Sequence, residues 1–120
     1  VAYAEVLKTL PVDLTIVGRG AESASSFQDQ VGLVPVTGGL EKYLAANAVN
    51  SSTFVINATG PESLTSSLKL LVSAGVRNIL IEKPAALSIG ELAENKNYFN
   101  KYASNIFVAY NRRFYASVLE

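Results

Sequence analysis

The chain has 120 residues, room for about one domain, and it is 49% hydrophobic and 17% charged, a balance that suits a packed core. Ten Lys plus Arg offset ten Asp plus Glu, so there is no basic field to hold nucleic acid or an anionic membrane surface. Cys and His are both absent, which excludes disulfides, thiolate or imidazole metal sites and any Ser-His or Cys-His machinery within these residues.

The start lacks a basic segment followed by an apolar block, so no signal peptide is predicted. No apolar run approaches the ~20 residues of a membrane helix. Met is absent, even at position 1, and the chain is therefore expected to be a piece of a longer protein. Tyr3, Val6, Leu7 and Leu10 recur at three- and four-residue steps, which predicts a helical stripe with no capping residue before it.

Short apolar runs then alternate with helical patterns. Strands are predicted at Leu14–Val17, more weakly at Leu33–Val36 because of Pro35, and at Phe54–Ile56, Ile79–Ile81 and Asn105–Tyr110. Helices are predicted between them. Ala21–Gln28 is short. Leu40–Ala48 places Leu40, Tyr43 and Leu44 on one face. Ser63–Ala74 buries Leu64, Leu68, Leu71 and Val72, with Gly75 as a C-terminal cap. Ser88-Ile89-Gly90-Glu91 reads as a capping box opening a helix to about Tyr102, with Ile89, Leu92 and Phe99 inward. A further helix is expected to start near Phe114. The alternation predicts an α/β fold with parallel strands and helices on both faces, all in one unit.

In such sheets ligands bind beyond the carboxyl ends of the strands, so the strand exits carry the chemistry. The first exit, Val17-Gly18-Arg19-Gly20, has no acid to hold ribose hydroxyls. Its Arg19 between glycines suits a 2′-phosphate, although an ordinary tight turn with a solvated Arg gives the same tripeptide. The next informative exit runs Asn57-Ala58-Thr59-Gly60-Pro61-Glu62-Ser63. Its small residues let a ligand approach the backbone, Thr59 and Ser63 are candidate donors, and the helix start favours a negative group. The same residues also read as a plain strand-to-helix turn, with Thr59 or Ser63 as N-cap and Pro61 in the first turn. Glu82-Lys83-Pro84 brings a Lys to the mouth of the sheet, a position equally open to a merely solvated side chain. The last exit, Ala109-Tyr110-Asn111-Arg112-Arg113, offers two guanidinium groups for carboxylate or phosphate, or a surface basic pair.

The ordered set resembles the glucose–fructose oxidoreductase / inositol dehydrogenase family, Gfo/Idh/MocA. Glu82-Lys83-Pro84 follows Asn57-Ala58-Thr59 by about 23 residues, and Val108-Ala109-Tyr110-Asn111-Arg112-Arg113-Phe114 looks like the family's strand-plus-NRR segment. The resemblance implies a doubly wound Rossmann domain, three-layer α/β/α, occupying residues 1–120. Its first strand and Gly-rich loop would lie outside this sequence, together with a second α+β domain for substrate and homo-oligomer contacts. Lacking that strand, the segments near Ile16 and Val55 would have no partner between them, so another segment or chain is expected to fill the gap. Two departures stand out: Gly60 replaces a Pro, and Leu64 falls in the slot of a His.

By this resemblance the protein is an NAD(P)-dependent oxidoreductase moving a hydride between nicotinamide and a sugar, polyol or related hydroxyl or carbonyl substrate. Lys83 would be the catalytic residue near the reacting hydroxyl. Gly18, Arg19, Asn57, Ala58, Thr59, Gly60, Pro61, Ser63, Glu82, Lys83, Pro84, Asn111 and Arg112 would hold the cofactor. Arg19 tips the cofactor to NADP, with NAD as the alternative. No metal, nucleic acid or membrane is expected, and a cytoplasmic location is. A nucleotide-binding regulator or scaffold that has lost its chemistry is the alternative function. A methyltransferase is disfavoured by Arg19, which stands where such enzymes usually carry an acid for the ribose.

Overall fold

The computed structural model describes residues 1–102 and 105–110. The chain divides into two compact units, Val1–Ala48 and Val49–Glu120. No helix among the described residues is long and apolar enough to cross a membrane.

The first unit holds three helices, α1 (Ala2–Leu7), α2 (Ala21–Val31) and α3 (Gly39–Ala46). In α1 Ala4 is buried and Tyr3 and Leu7 are half-buried, while Val6 is 62% exposed and Leu10 lies beyond the helix end, so the expected apolar stripe forms only in part. Helix α2 runs past the predicted Gln28 to Val31, which is buried, and stops at Gly32 in the left-handed conformation. In α3 the expected face of Leu40, Tyr43 and Leu44 is half-buried. The predicted strands at 14–17 and 33–36 reduce to one parallel bridge, Val17 to Val36. Pro35 accounts for the difference: it has no N–H to continue a ladder. The hydrogen bonds that remain run from Val36 N–H to Ile16 O and from Gly18 N–H to Val36 O, both 2.8 Å.

The second unit is built around three parallel strands in the order β1-β2-β3: β1 (Phe54–Asn57), β2 (Asn78–Ile81) and β3 (Asn105–Val108). Parallel neighbours need crossovers, and the two helices α4 (Pro61–Ser73) and α5 (Ile89–Lys101) supply them. The register aligns Val55, Ile79 and Ile106, and likewise Asn57, Ile81 and Val108. Side chains alternate along a strand, so these six residues share one face. Leu68 of α4 and Phe99 of α5 line a common cavity of about 230 Å³ with Ile81, Ile106 and Val108, which puts both helices on that face. The core there is apolar and tight: Leu64, Leu68, Leu71, Val72, Val76, Ile79 and Ile81 are all buried.

The predicted face of α4 is confirmed residue by residue, and its end follows from chemistry. Gly75 adopts φ 104°, Gly75 N–H donates to Val72 O, and Val76 N–H donates to Leu71 O. This pair of bonds is a Schellman cap, closed by the buried Leu71 and Val76. It turns the chain directly into β2.

Helix α5 opens as the capping box predicts, with Glu91 N–H donating to Ser88 Oγ at 3.1 Å. The return bond differs: the Glu91 carboxylate accepts from Leu87 N–H, one residue before the cap. Its other oxygen accepts from Thr65 Oγ1 on α4. These two donors, with the Lys69 charge adding to them, hold the Glu91 carboxyl below its ordinary 4.5. The expected inward face is only partly right. Phe99 is buried and Leu92 lines the same cavity, although it stays 51% exposed; Ile89 is 87% exposed, and Asn95 is buried on the inner side. Ile89 is the first helical residue, on a turn that the sheet does not cover.

Candidate functional site

The parallel register brings the exits of β1, β2 and β3 side by side, successive strands standing about 4.8 Å apart. Pairing continues one step past the strands. Glu82 N–H donates to Asn57 O at 3.0 Å, and Ala109 N–H donates to Ile81 O at 2.8 Å. Lys83 is therefore delivered immediately beyond the last paired residue of the central strand. Its N–H donates to Glu82 Oε2 at 3.1 Å, and the Lys83–Pro84 peptide bond is cis. Lys83 and Pro84 are exposed, and the Lys83 ammonium has no hydrogen bond or ion pair among the described residues. A charged group held at a strand exit with its donors unspent is available to a ligand.

At the neighbouring β1 exit, Ala58, Thr59, Gly60 and Pro61 are exposed and Ser63 is half-buried. Asn57 differs from them. It is 4% exposed, on the inner face, and its amide is spent on the protein. Nδ2 donates to Leu64 O at 3.2 Å, while Oδ1 accepts from Thr59 N–H at 3.4 Å and Thr59 Oγ1 at 3.0 Å. Neither Thr59 nor Ser63 caps α4. The N-cap is Gly60, without a side-chain bond, and Pro61 follows in the first turn as expected. The Glu62 carboxylate folds over Gly60: a first side-chain carbon at position 60 would stand 2.6 Å from Glu62 Oε1. An anion approaching this helix start would meet that charge. Leu64 is buried at 2%.

Gly18 and Arg19 belong to the first unit. Gly39 N–H donates to Gly18 O at 2.9 Å and Gly38 N–H donates to Arg19 O at 3.2 Å, so the turn is tied to the start of α3 on one side. On the other side Gly20 is the N-cap of α2. Gly38 and Gly39 both have positive φ, 103° and 85°, a backbone conformation that favours glycine. Arg19 is exposed, and its guanidinium makes no hydrogen bond or ion pair among the described residues. Asn111 and Arg112, and the helix expected from Phe114, lie outside the described residues. Sequence reading missed the polar chain from Glu91 through Thr65 to Asn95, whose Nδ2 donates to Thr65 Oγ1 at 3.2 Å. The signal was present, since Asn95 sits four residues before Phe99 on the same helical face.

No protein-family model matches this sequence, and none of the curated proteins matches it. Solved structures do. A Gfo/Idh/MocA family oxidoreductase from Vibrio cholerae superposes with a TM-score of 0.71 at 18% identity, over 92% of this chain and 34% of that one. The chain has the fold of a Gfo/Idh/MocA oxidoreductase. The WlbA dehydrogenase of Bordetella pertussis, solved with NADH and UDP-GlcNAcA, gives a TM-score of 0.75 at 18% identity over 98% of this chain and 35% of that one. An oxidoreductase from Agrobacterium radiobacter, solved with NAD+, L-tartaric acid and magnesium, gives 0.72 at 18% identity over 92% and 31%. The chain thus spans about a third of the length of these three proteins. The α/β fold with a parallel sheet, expected from the alternation of apolar runs and helical patterns, is confirmed.

Proposed function

We propose that residues 1–120 are the dinucleotide-binding part of a two-domain NAD(P)-dependent oxidoreductase. The intact enzyme would move a hydride between nicotinamide and the hydroxyl-bearing carbon of a sugar or polyol. The observation that carries this reading is the β2 exit, where Lys83 stands exposed beside the small-residue loop of β1 in a fold shared with such oxidoreductases. The residues fit the cofactor. In the second unit, the exposed Ala58 carries no side chain large enough to keep a ligand from the backbone, and in the first, Arg19 presents a guanidinium with no partner among the described residues. Nicotinamide, when bound, gives or takes the hydride.

The chain's own residues would bind and orient. Lys83 would donate to the substrate oxygen and offset the negative charge that it carries once the hydroxyl proton has left, or that grows there as a hydride reaches the carbonyl in the reverse direction. Arg19 would select NADP over NAD by gripping the 2′-phosphate. The proton acceptor is assigned to the second domain, because this chain has no His and Leu64 is in the core.

The test is turnover by the intact protein with NADP or NAD and a panel of sugars and polyols, followed at the reduced-nicotinamide absorbance band. Lys83→Ala should cut kcat by roughly a hundredfold or more while leaving dinucleotide affinity within about twofold. Near-normal turnover in that variant removes Lys83 from the chemistry. Binding without turnover on any substrate would favour the regulator reading instead.

A further inference from the structure

We propose that Asn57 is a positioning residue for the dinucleotide, acting through Thr59 and not by touching the ligand; this role rests on the function proposed above. Asn57 ends β1, and only the three residues Ala58–Gly60 separate it from Pro61, the first residue of α4. Ala and Gly have no side chain to anchor such a loop, and Gly60 is free to take many conformations. The buried amide of Asn57 supplies the missing restraint from both ends. Through Nδ2 it holds the first turn of α4 at Leu64 O, and through Oδ1 it holds the N–H and hydroxyl of Thr59.

The same bonds settle what Thr59 has left to offer. A hydroxyl has one proton, and that of Thr59 goes to Asn57 Oδ1. Ser67 Oγ lies 3.4 Å away, but it donates to Ser63 O at 2.6 Å. Among residues 58–60, then, no side-chain donor is left for a ligand, and the loop recognises it through main chain whose course Asn57 fixes. At 4% exposure Asn57 cannot make that contact itself.

A double-mutant cycle on the intact protein tests this, read by reduced-dinucleotide affinity and by amide hydrogen exchange. Thr59→Val should weaken NADPH binding about tenfold, the loss of roughly one hydrogen bond's hold on the loop, and Asn57→Ala about tenfold or more, since it also frees Leu64 O and Thr59 N–H. The double variant should be no weaker than Asn57→Ala alone, because the hydroxyl bond lost in Thr59→Val is one of those that Asn57→Ala already removes. Exchange at the Thr59 and Gly60 amides should speed about tenfold in both variants, with the β2 amides unchanged. Multiplying affinity losses, with the double variant about tenfold weaker than Asn57→Ala alone, would show that Asn57 acts independently of Thr59 and overturn the proposal. So would faster exchange spread through β2, which marks a general core defect. Thr59 is exposed, so Thr59→Val carries the exchange test should Asn57→Ala fail to fold. If the wild-type protein binds no nicotinamide dinucleotide, the proposed function fails, while the exchange arm still decides whether Asn57 sets the loop.

Discussion

Helix α4 runs from the β1 exit back to the start of β2, so the turn at Gly75 decides how β2, and with it Lys83, enters the sheet. Gly75→Ala tests that turn. The added carbon would find ordinary room, its nearest neighbour being Val49 O at 3.8 Å, so the cost is conformational. An L-residue in the left-handed region loses about 1–2 kcal/mol, and reduced freedom of the unfolded chain returns about 0.4–1 kcal/mol. The net expectation is a loss of about 1 kcal/mol. Gly90→Ala is the control. Gly90 lies in the first turn of α5 without positive φ, and its new carbon would meet only Ser88 Oγ at 3.9 Å. That change should stabilise by up to ~0.5 kcal/mol, since Gly in a helix is disfavoured relative to Ala. Urea denaturation followed by circular dichroism measures both. A neutral Gly75→Ala, or two shifts of the same sign, would refute the assignment of the Schellman turn.

Other outcomes follow from the same geometry. Leu68→Ala should cost about 2–3 kcal/mol in urea denaturation, the lower part of the usual range because Leu68 already borders a cavity. The Glu91 carboxyl is held low by Thr65 and Leu87, so the unfolded chain binds its proton more readily. Its contribution to stability is therefore full above pH 4.5, falls as the pH drops through the lower folded value, and should vanish from acid titrations of Glu91→Gln. Arg19→Ala should weaken NADP binding at least tenfold and NAD binding less than twofold in parallel calorimetric titrations.

What could be read in the sequence divides along physical lines. The strands at 54–56, 79–81 and 105–110, the last of which ends two residues early at Val108, and the Leu64–Leu68–Leu71–Val72 stripe were legible because burial leaves a mark in the sequence. Ser88 and Glu91 named the start of α5 because capping is local chemistry. Periodicity misled at Ile89, which has helical spacing but is 87% exposed, and only half served at Leu92, which faces the cavity lined by Ile81 and Val108 but is not covered there. It misled again at 14–17, where the strand needs a ladder that Pro35 interrupts. At the candidate site, Arg19 follows only the single bridge at Val17, but the position of Lys83 was readable from a strand exit, since a strand's end fixes where the next residue goes. The inward turn of Asn57 was not, because its role depends on Leu64 O and Thr59, contacts made only once α4 packs.

The central claim is that this fold holds a nicotinamide dinucleotide, and the most direct measurement is fluorescence titration of the intact protein with NADPH and with NADH. The account predicts saturable binding of NADPH and weaker binding of NADH. An absence of saturable binding for both would contradict it.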